Sequence, residues 1–257
     1  LPVICTMTFE KNMRTFNGTS VESLALMADS LDLLAVGVNC SYGPTELLPI
    51  MERLCECSRL PLMIQPNAGL PDPKTGAYSL SPEDYGQSMV KFAQLGIQIL
   101  GGCCGTNPDY IADMVARLKD EPIVTRQLPE RISAVCTPAE VVYINQPRII
   151  GERINPTGKK RFKEALLAHD IDYILHQAIE QTRAGAEILD VNVGLPDIDE
   201  TEMMHDAIIA LQSITNAPLQ IDSTNVEVLK KALRIYNGKA IVNSVNGEEA
   251  SLANILP

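Results

Sequence analysis

Positive charge is scarce in this chain of 257 residues: 21 Lys and Arg stand against 32 Asp and Glu, a formal net charge of −11. That balance argues against a nucleic-acid binder and against docking on anionic membranes. Long apolar runs are missing too, and none approaches the roughly 20 residues that span a bilayer. Histidine is nearly absent, with 3 in all and none before His169. A metal bound in the first half would therefore be held by thiolate. The chain starts at Leu1 rather than Met and stops inside an apolar pattern, "SLANILP". It is expected to be a piece cut at both ends, from which no targeting signal can be judged.

What is present narrows the class. A chain of this length can bury one large core or two smaller ones. The 7 cysteines are odd in number and irregularly spaced, which reads as free or metal-bound thiols in a reducing compartment, the cytoplasm. Aliphatic runs alternate with amphipathic stretches. Strands are predicted at 2–9, 33–40, 60–67 and 97–104, with helices near 20–31, 45–58, 82–95 and 108–119. Capping-box spacings are expected to open three of the helices, Thr19 with Glu22, Ser81 with Asp84, and Thr106 with Asp109. Continuous apolar strands separated by helices imply a parallel sheet covered on its outer face.

Between Glu121 and Pro147 the rhythm breaks. That stretch carries four prolines and no helical period, and reads as an inter-domain connector with some β-structure. The βα pattern resumes with strands at 148–152, 186–194, 218–223 and 239–244, and helices near 161–184, 200–215 and 226–236. One eight-unit barrel is the simplest reading. The length of the connector and the different strand-end residues of the two halves favour parts of two (β/α)8 barrels instead. Residues 2–9 and 239–244 would then not pair with one another.

In the first half the strand ends carry sulfur. Cys40 ends "LLAVGVNC", and Cys103 with Cys104 ends "IQILGGCC". Strand C-termini of a parallel barrel share one face, so these three thiols can converge. Three thiolates suit Zn²⁺ and leave a fourth position, where a substrate thiol can be deprotonated and held as a nucleophile. A lone cysteine is more often a packing residue, and Cys5, Cys55, Cys57 and Cys136 are read that way. In the second half the strand ends carry Glu152, Asn155, Asp190, Asn192, Asp222 and Asn243. Such a carboxylate is as often a helix cap as a ligand group, but four successive polar strand ends suit a flat, polar heterocycle such as a pterin. "GERINPTGKK" fails as a phosphate loop, because six residues separate its glycines and Lys160 stands where Ser or Thr is needed. His169, His176 and His205 are expected to be solvated.

"GVNCSYGPTELLPI", "QPNAGLP" and "GGCCGTNPDYIADM" resemble the second half of the homocysteine-binding barrel of the zinc-dependent homocysteine methyltransferases. "IGERINPTG", "GAEILDVNVG" and "IDSTN" resemble the pterin-binding barrel of the methyltetrahydrofolate methyltransferases. Their order resembles the cobalamin-dependent methionine synthases. The resemblance implies the end of a homocysteine barrel at 1–120, a connector at 121–147 and the start of a pterin barrel at 148–257. It implies Zn²⁺ and homocysteine at Cys40, Cys103 and Cys104. It implies 5-methyltetrahydrofolate at Asn155, Thr157, Asp222 and Asn243, with Glu152, Asp190 and Asn192 nearby. It also implies methylcobalamin on a further domain of a parent chain. A cobalamin-independent homocysteine methyltransferase fused to another folate enzyme, or a zinc-binding piece without turnover, are the rivals.

Overall fold

The computed structural model describes residues 1–256. They form two compact units, Leu1–Arg131 and Ile132–Pro257, dividing within the stretch expected as a connector. Among the described residues no helix is long and apolar enough to cross a membrane.

The first unit holds β1 (Ile4–Met7), α1 (Val21–Ala28), β2 (Ala35–Asn39), α2 (Pro44–Cys57), β3 (Leu62–Gln65), α3 (Pro82–Gln94), β4 (Ile99–Leu100) and α4 (Pro108–Leu118). Its sheet runs β1-β2-β3-β4, all parallel. The core is the layer between strands and helices, where Phe9, Leu47, Met51, Tyr85 and Phe92 are fully covered. Each such side chain contributes on the order of 1.5–3 kcal/mol. Ser81 caps α3 as predicted, accepting from the Asp84 N–H at 3.1 Å. The caps of α1 and α4 fall one residue later than predicted, at Ser20 and Asn107. Thr19 and Thr106 have other partners: the Thr19 carbonyl accepts from Thr15 N–H, and the Thr106 hydroxyl donates to the Cys103 carbonyl at 2.7 Å. After α4 the chain returns along the base of this unit. There Arg126 donates to the carbonyls of Cys55, Ser58 and Leu60, closing the C-terminal end of α2.

The second unit opens with a hairpin, β5 (Ala134–Cys136) and β6 (Val141–Tyr143), and continues as β7 (Ile150–Ile154), α5 (Lys160–Leu167), α6 (Ile171–Arg183), β8 (Ile188–Val191), α7 (Glu200–Ile214), β9 (Leu219–Asp222), α8 (Val226–Ile235), β10 (Ile241–Asn243) and α9 (Glu249–Ile255). Its sheet runs β10-β9-β8-β7, again parallel. The hairpin lies at the start of these strands: Cys136 bridges Lys239, and Tyr236 donates its hydroxyl to the Cys136 carbonyl. A Cβ at Gly238 would meet that same carbonyl, so only glycine allows the approach. The single helix predicted over 161–184 is two helices. The chain turns at His169, φ 53°, and Asp170 caps α6 by accepting from the Tyr173 N–H at 3.1 Å.

Both sheets are open, four strands each, and among the described residues no ladder joins β1 to β10. The α/β class with parallel sheets is as expected.

Candidate functional site

The four strands of each parallel sheet run the same way, so the loops after them gather at one edge of the sheet. In the first unit that edge carries the cysteines. Cys40 follows β2 with φ 62° and Ser41 with φ 59°, two non-glycine residues in the left-handed region, a conformation that costs on the order of 1–3 kcal/mol each. The turn is pinned by Cys40 N–H donating to the Gln65 carbonyl at 3.0 Å. β4 is only two residues long because the Gly101–Gly102 pair lets the backbone leave the sheet. Tyr85, buried beneath it, sets its hydroxyl 2.8 Å from the Gly101 carbonyl. Burial pushes that phenol well above its ordinary pKa. The Cys103–Cys104 backbone then locks onto the loop after β3. Cys103 N–H donates to Pro66 at 2.8 Å, Ala68 N–H to the Cys104 carbonyl at 2.9 Å, and Cys104 N–H to Asn67 Oδ1 at 3.1 Å.

These constraints bring the Sγ atoms of Cys40, Cys103 and Cys104 within 4.8 Å of one another. Among the described residues no other group of three His, Cys, Asp or Glu side chains converges in this way. The Cys104 sulfur is 3.9 Å from that of Cys40 and 3.8 Å from that of Cys103. The Cα atoms of Cys40 and Cys103 are 5.7 Å apart. The three thiols so placed could hold one metal ion. The metal-binding form is the reduced one. In that form the donor set is all sulfur, as a tetrahedral Zn²⁺ prefers, and Cys104 is exposed, which leaves a way in for a fourth ligand. Cys5, Cys55, Cys57 and Cys136 lie outside the cluster, and burial raises the thiols of Cys55, Cys57 (to about 11) and Cys136 away from thiolate.

In the second unit four of the predicted residues come together. Asp190 is buried and accepts from the Gln220 side chain, and Asn243 stands opposite Asp222 in the β9–β10 register. Asn192 Nδ2 donates to Asp222 Oδ2 at 3.0 Å. Burial pushes the Asp190 carboxyl above the ordinary carboxylate range, and the charges of Asp222 and Glu152 push the same way. Glu152 itself is exposed and paired with Lys159 Nζ at 3.0 Å. Asn155 is buried, and its Oδ1 accepts from the Thr157 N–H at 2.8 Å; Thr157 is exposed. Neither shares a hydrogen bond with the Asp190 and Asp222 group. The arrangement offers carboxylate acceptors next to amide donors, a match for a mixed heterocycle edge. His169 and His205 both bond the carboxylate of Asp206 and are half exposed.

Gln220 went unpredicted, although it lies two residues before Asp222 on β9 and shares its face by strand alternation. So did Glu200, which accepts from the buried Ser223 hydroxyl at 2.6 Å. In the first unit the omission is Asn67, which holds the Cys104 N–H. It ends the stretch predicted as a strand at 60–67.

Comparison with known proteins matches residues 1–118 to the homocysteine S-methyltransferase family and residues 151–256 to the pterin binding enzyme family. Over 97% of its length the chain is 32% identical to a methionine synthase of Mycobacterium leprae and 31% identical to one of Mycobacterium tuberculosis. It spans about a fifth of those relatives, 22% and 21% of their lengths. Among solved structures, the carboxyl transferase domain of Rhizobium etli pyruvate carboxylase aligns at 15% identity over 95% of this chain and 40% of that one. Its TM-score of 0.28 is too low to carry any argument.

Proposed function

We propose that this chain belongs with the methionine synthases and that its two units serve one methyl transfer, from 5-methyltetrahydrofolate to the thiolate of homocysteine. The single observation that carries this reading is the cluster of three sulfurs within 4.8 Å in the unit that matches the homocysteine S-methyltransferases. Cys40, Cys103 and Cys104 would hold Zn²⁺. When bound, that ion supplies Lewis acidity that keeps a substrate thiol deprotonated at neutral pH. The chain's own part is to fix the three sulfurs through the loop after β3 and to leave the exposed side of Cys104 open to the substrate.

The second unit would bind the pterin. Asp222 and Asp190 accept from its N–H edge, while Asn192 and Asn243 orient the carboxylates and complement the ring. Asn155, Thr157 and Glu152 stand on the loop and strand beside them. Such groups hold the donor in one pose and meet charge as its N5–methyl bond weakens. A cobalamin would relay the methyl group, and no residue of this chain is assigned to it. A thiolate centre works only where thiols are kept reduced, and a cytoplasmic setting supplies that.

X-ray absorption on the reduced, zinc-loaded chain tests the reading. Three sulfur neighbours at about 2.3 Å are expected, rising to four when homocysteine is added. A shell of mostly nitrogen or oxygen, or no change with homocysteine, defeats it.

A further inference from the structure

The turn that carries Cys40 is held by a contact that neither the strand-end pattern nor the family matches assign. Cys40 and Ser41 both stand in the left-handed region, φ 62° and 59°, so the turn keeps its shape only where neighbouring bonds offset the strain. Tyr42, the next residue, supplies three of them. Its N–H donates to the Cys40 carbonyl at 2.8 Å, and its carbonyl accepts from the Asn67 N–H at 2.9 Å. Its hydroxyl donates to Glu10 Oε2 at 2.6 Å, a short bond to a carboxylate and so one of the stronger kind. Lys11 Nζ lies 5.2 Å from the centre of the Tyr42 ring. Glu10 is itself fixed. Phe9 beside it is fully covered, the Glu10 N–H donates to the Arg14 carbonyl at 2.8 Å, and the Glu10 carbonyl accepts from the Met13 N–H at 3.0 Å. The same Asn67 that bonds the Tyr42 carbonyl accepts from the Cys104 N–H at 3.1 Å. Tyr42 thus joins the loop after β1 to the Cys40 turn directly and to the Cys104 turn through Asn67.

We propose that Tyr42 is a positioning residue of the thiol centre: with its hydroxyl on Glu10, it latches the Cys40 turn to the loop after β1 and so fixes where the Cys40 sulfur stands. This rests on the metal reading above. A site binds its ion tightly when the donors are set before the ion arrives, and groups that orient donors without touching the metal are worth on the order of 10–100-fold in affinity. The two backbone bonds of Tyr42 would be made by almost any residue. The hydroxyl is what the tyrosine side chain adds, and its bond to a fixed carboxylate keeps the strained turn from relaxing away from Cys103 and Cys104.

The test uses Tyr42→Phe, which keeps the ring and removes only the hydroxyl, beside Glu10→Ala and Glu10→Gln. Each reduced full chain is loaded with Co²⁺, and the position and intensity of its ligand-field bands are recorded. Zn²⁺ affinity is measured in parallel against a chromophoric chelator. Zn²⁺ affinity should fall about tenfold in Tyr42→Phe and in Glu10→Ala, and the Co²⁺ bands should weaken as the site leaves tetrahedral geometry. Glu10→Gln, whose amide oxygen still accepts from the hydroxyl, should restore most of both. A purely structural role would lower the melting point and leave bands and affinity where they are. Tyr42→Phe with the parent's bands and affinity, or Glu10→Gln as impaired as Glu10→Ala, overturns the role of Tyr42 while leaving the metal centre standing. A parent chain that binds neither metal overturns both.

Discussion

Leu1–Arg131 and Ile132–Pro257 are built on the same frame, four parallel strands in sequential order with helices over the outer face. They differ in what stands where the strands end. The first unit places three soft sulfurs there, the second a buried carboxylate, a second carboxylate and amides around them. The frame supplies convergence, because parallel strands deliver their loops to one edge. The residue types supply the chemistry. The two units also hold their groups differently. Backbone hydrogen bonds from the loop after β3 fix the cysteines, whereas side chains fix the carboxylates, Gln220 on Asp190 and Asn192 on Asp222. The thiol site is therefore sensitive to loop and glycine changes, and the carboxylate site to single polar substitutions.

The largest effect should come from emptying one core while leaving the other. Phe92→Ala in the first unit and Phe162→Ala in the second each remove a fully covered ring, at a cost of about 3–5 kcal/mol. Denaturant melting of each variant, followed by hydrogen exchange, should show the loss confined to the unit that carries the change. Equal loss in both units would mean that they fold as one body.

A smaller effect is expected at the pterin edge. Asp222→Ala removes a charged acceptor and leaves Asn192 without its partner. Affinity for 5-methyltetrahydrofolate should fall by about 1.5–3 kcal/mol in a calorimetric titration. Unchanged affinity would make Asp222 a structural anchor for Asn192.

The smallest is a pH effect in the second unit. Asp190 has its carboxyl raised, chiefly by burial. The folded state therefore binds this proton more readily than the unfolded one, so the associated stability is complete below the ordinary carboxylate range and is lost as pH rises through the raised folded value. Asp190→Asn removes that loss. Compared with the parent, the variant should be more stable at neutral pH, with the difference vanishing in acid. Urea melts at several pH values read this directly, and a difference independent of pH would contradict it.

Much of this was legible in the sequence because it was local. The strand runs and the glycine-flanked cysteine pair need only neighbouring residues to be recognised, and β2, β3, β8 and β9 fall inside their predicted stretches. What escaped depended on distant partners. Asn67 meets the Cys104 N–H across 37 positions. Gln220 could have been found by alternation from Asp222, but glutamine in a strand reads first as a surface residue. The split of 161–184 had a signal too: Asp170 is a good N-cap lying inside an unbroken helical period. Ser20 won the cap of α1 over Thr19 because the Ser20 side chain reaches the Ser23 N–H, 3.1 Å away.

The most direct test of two chemistries on one frame is to measure both ligands on a single variant. Cys104→Ser in the reduced chain is titrated with Zn²⁺ and then with 5-methyltetrahydrofolate, beside the parent. The account predicts that the variant loses its zinc and binds the folate with the parent's affinity. Full zinc retention, or a folate affinity that falls together with the zinc, would contradict it.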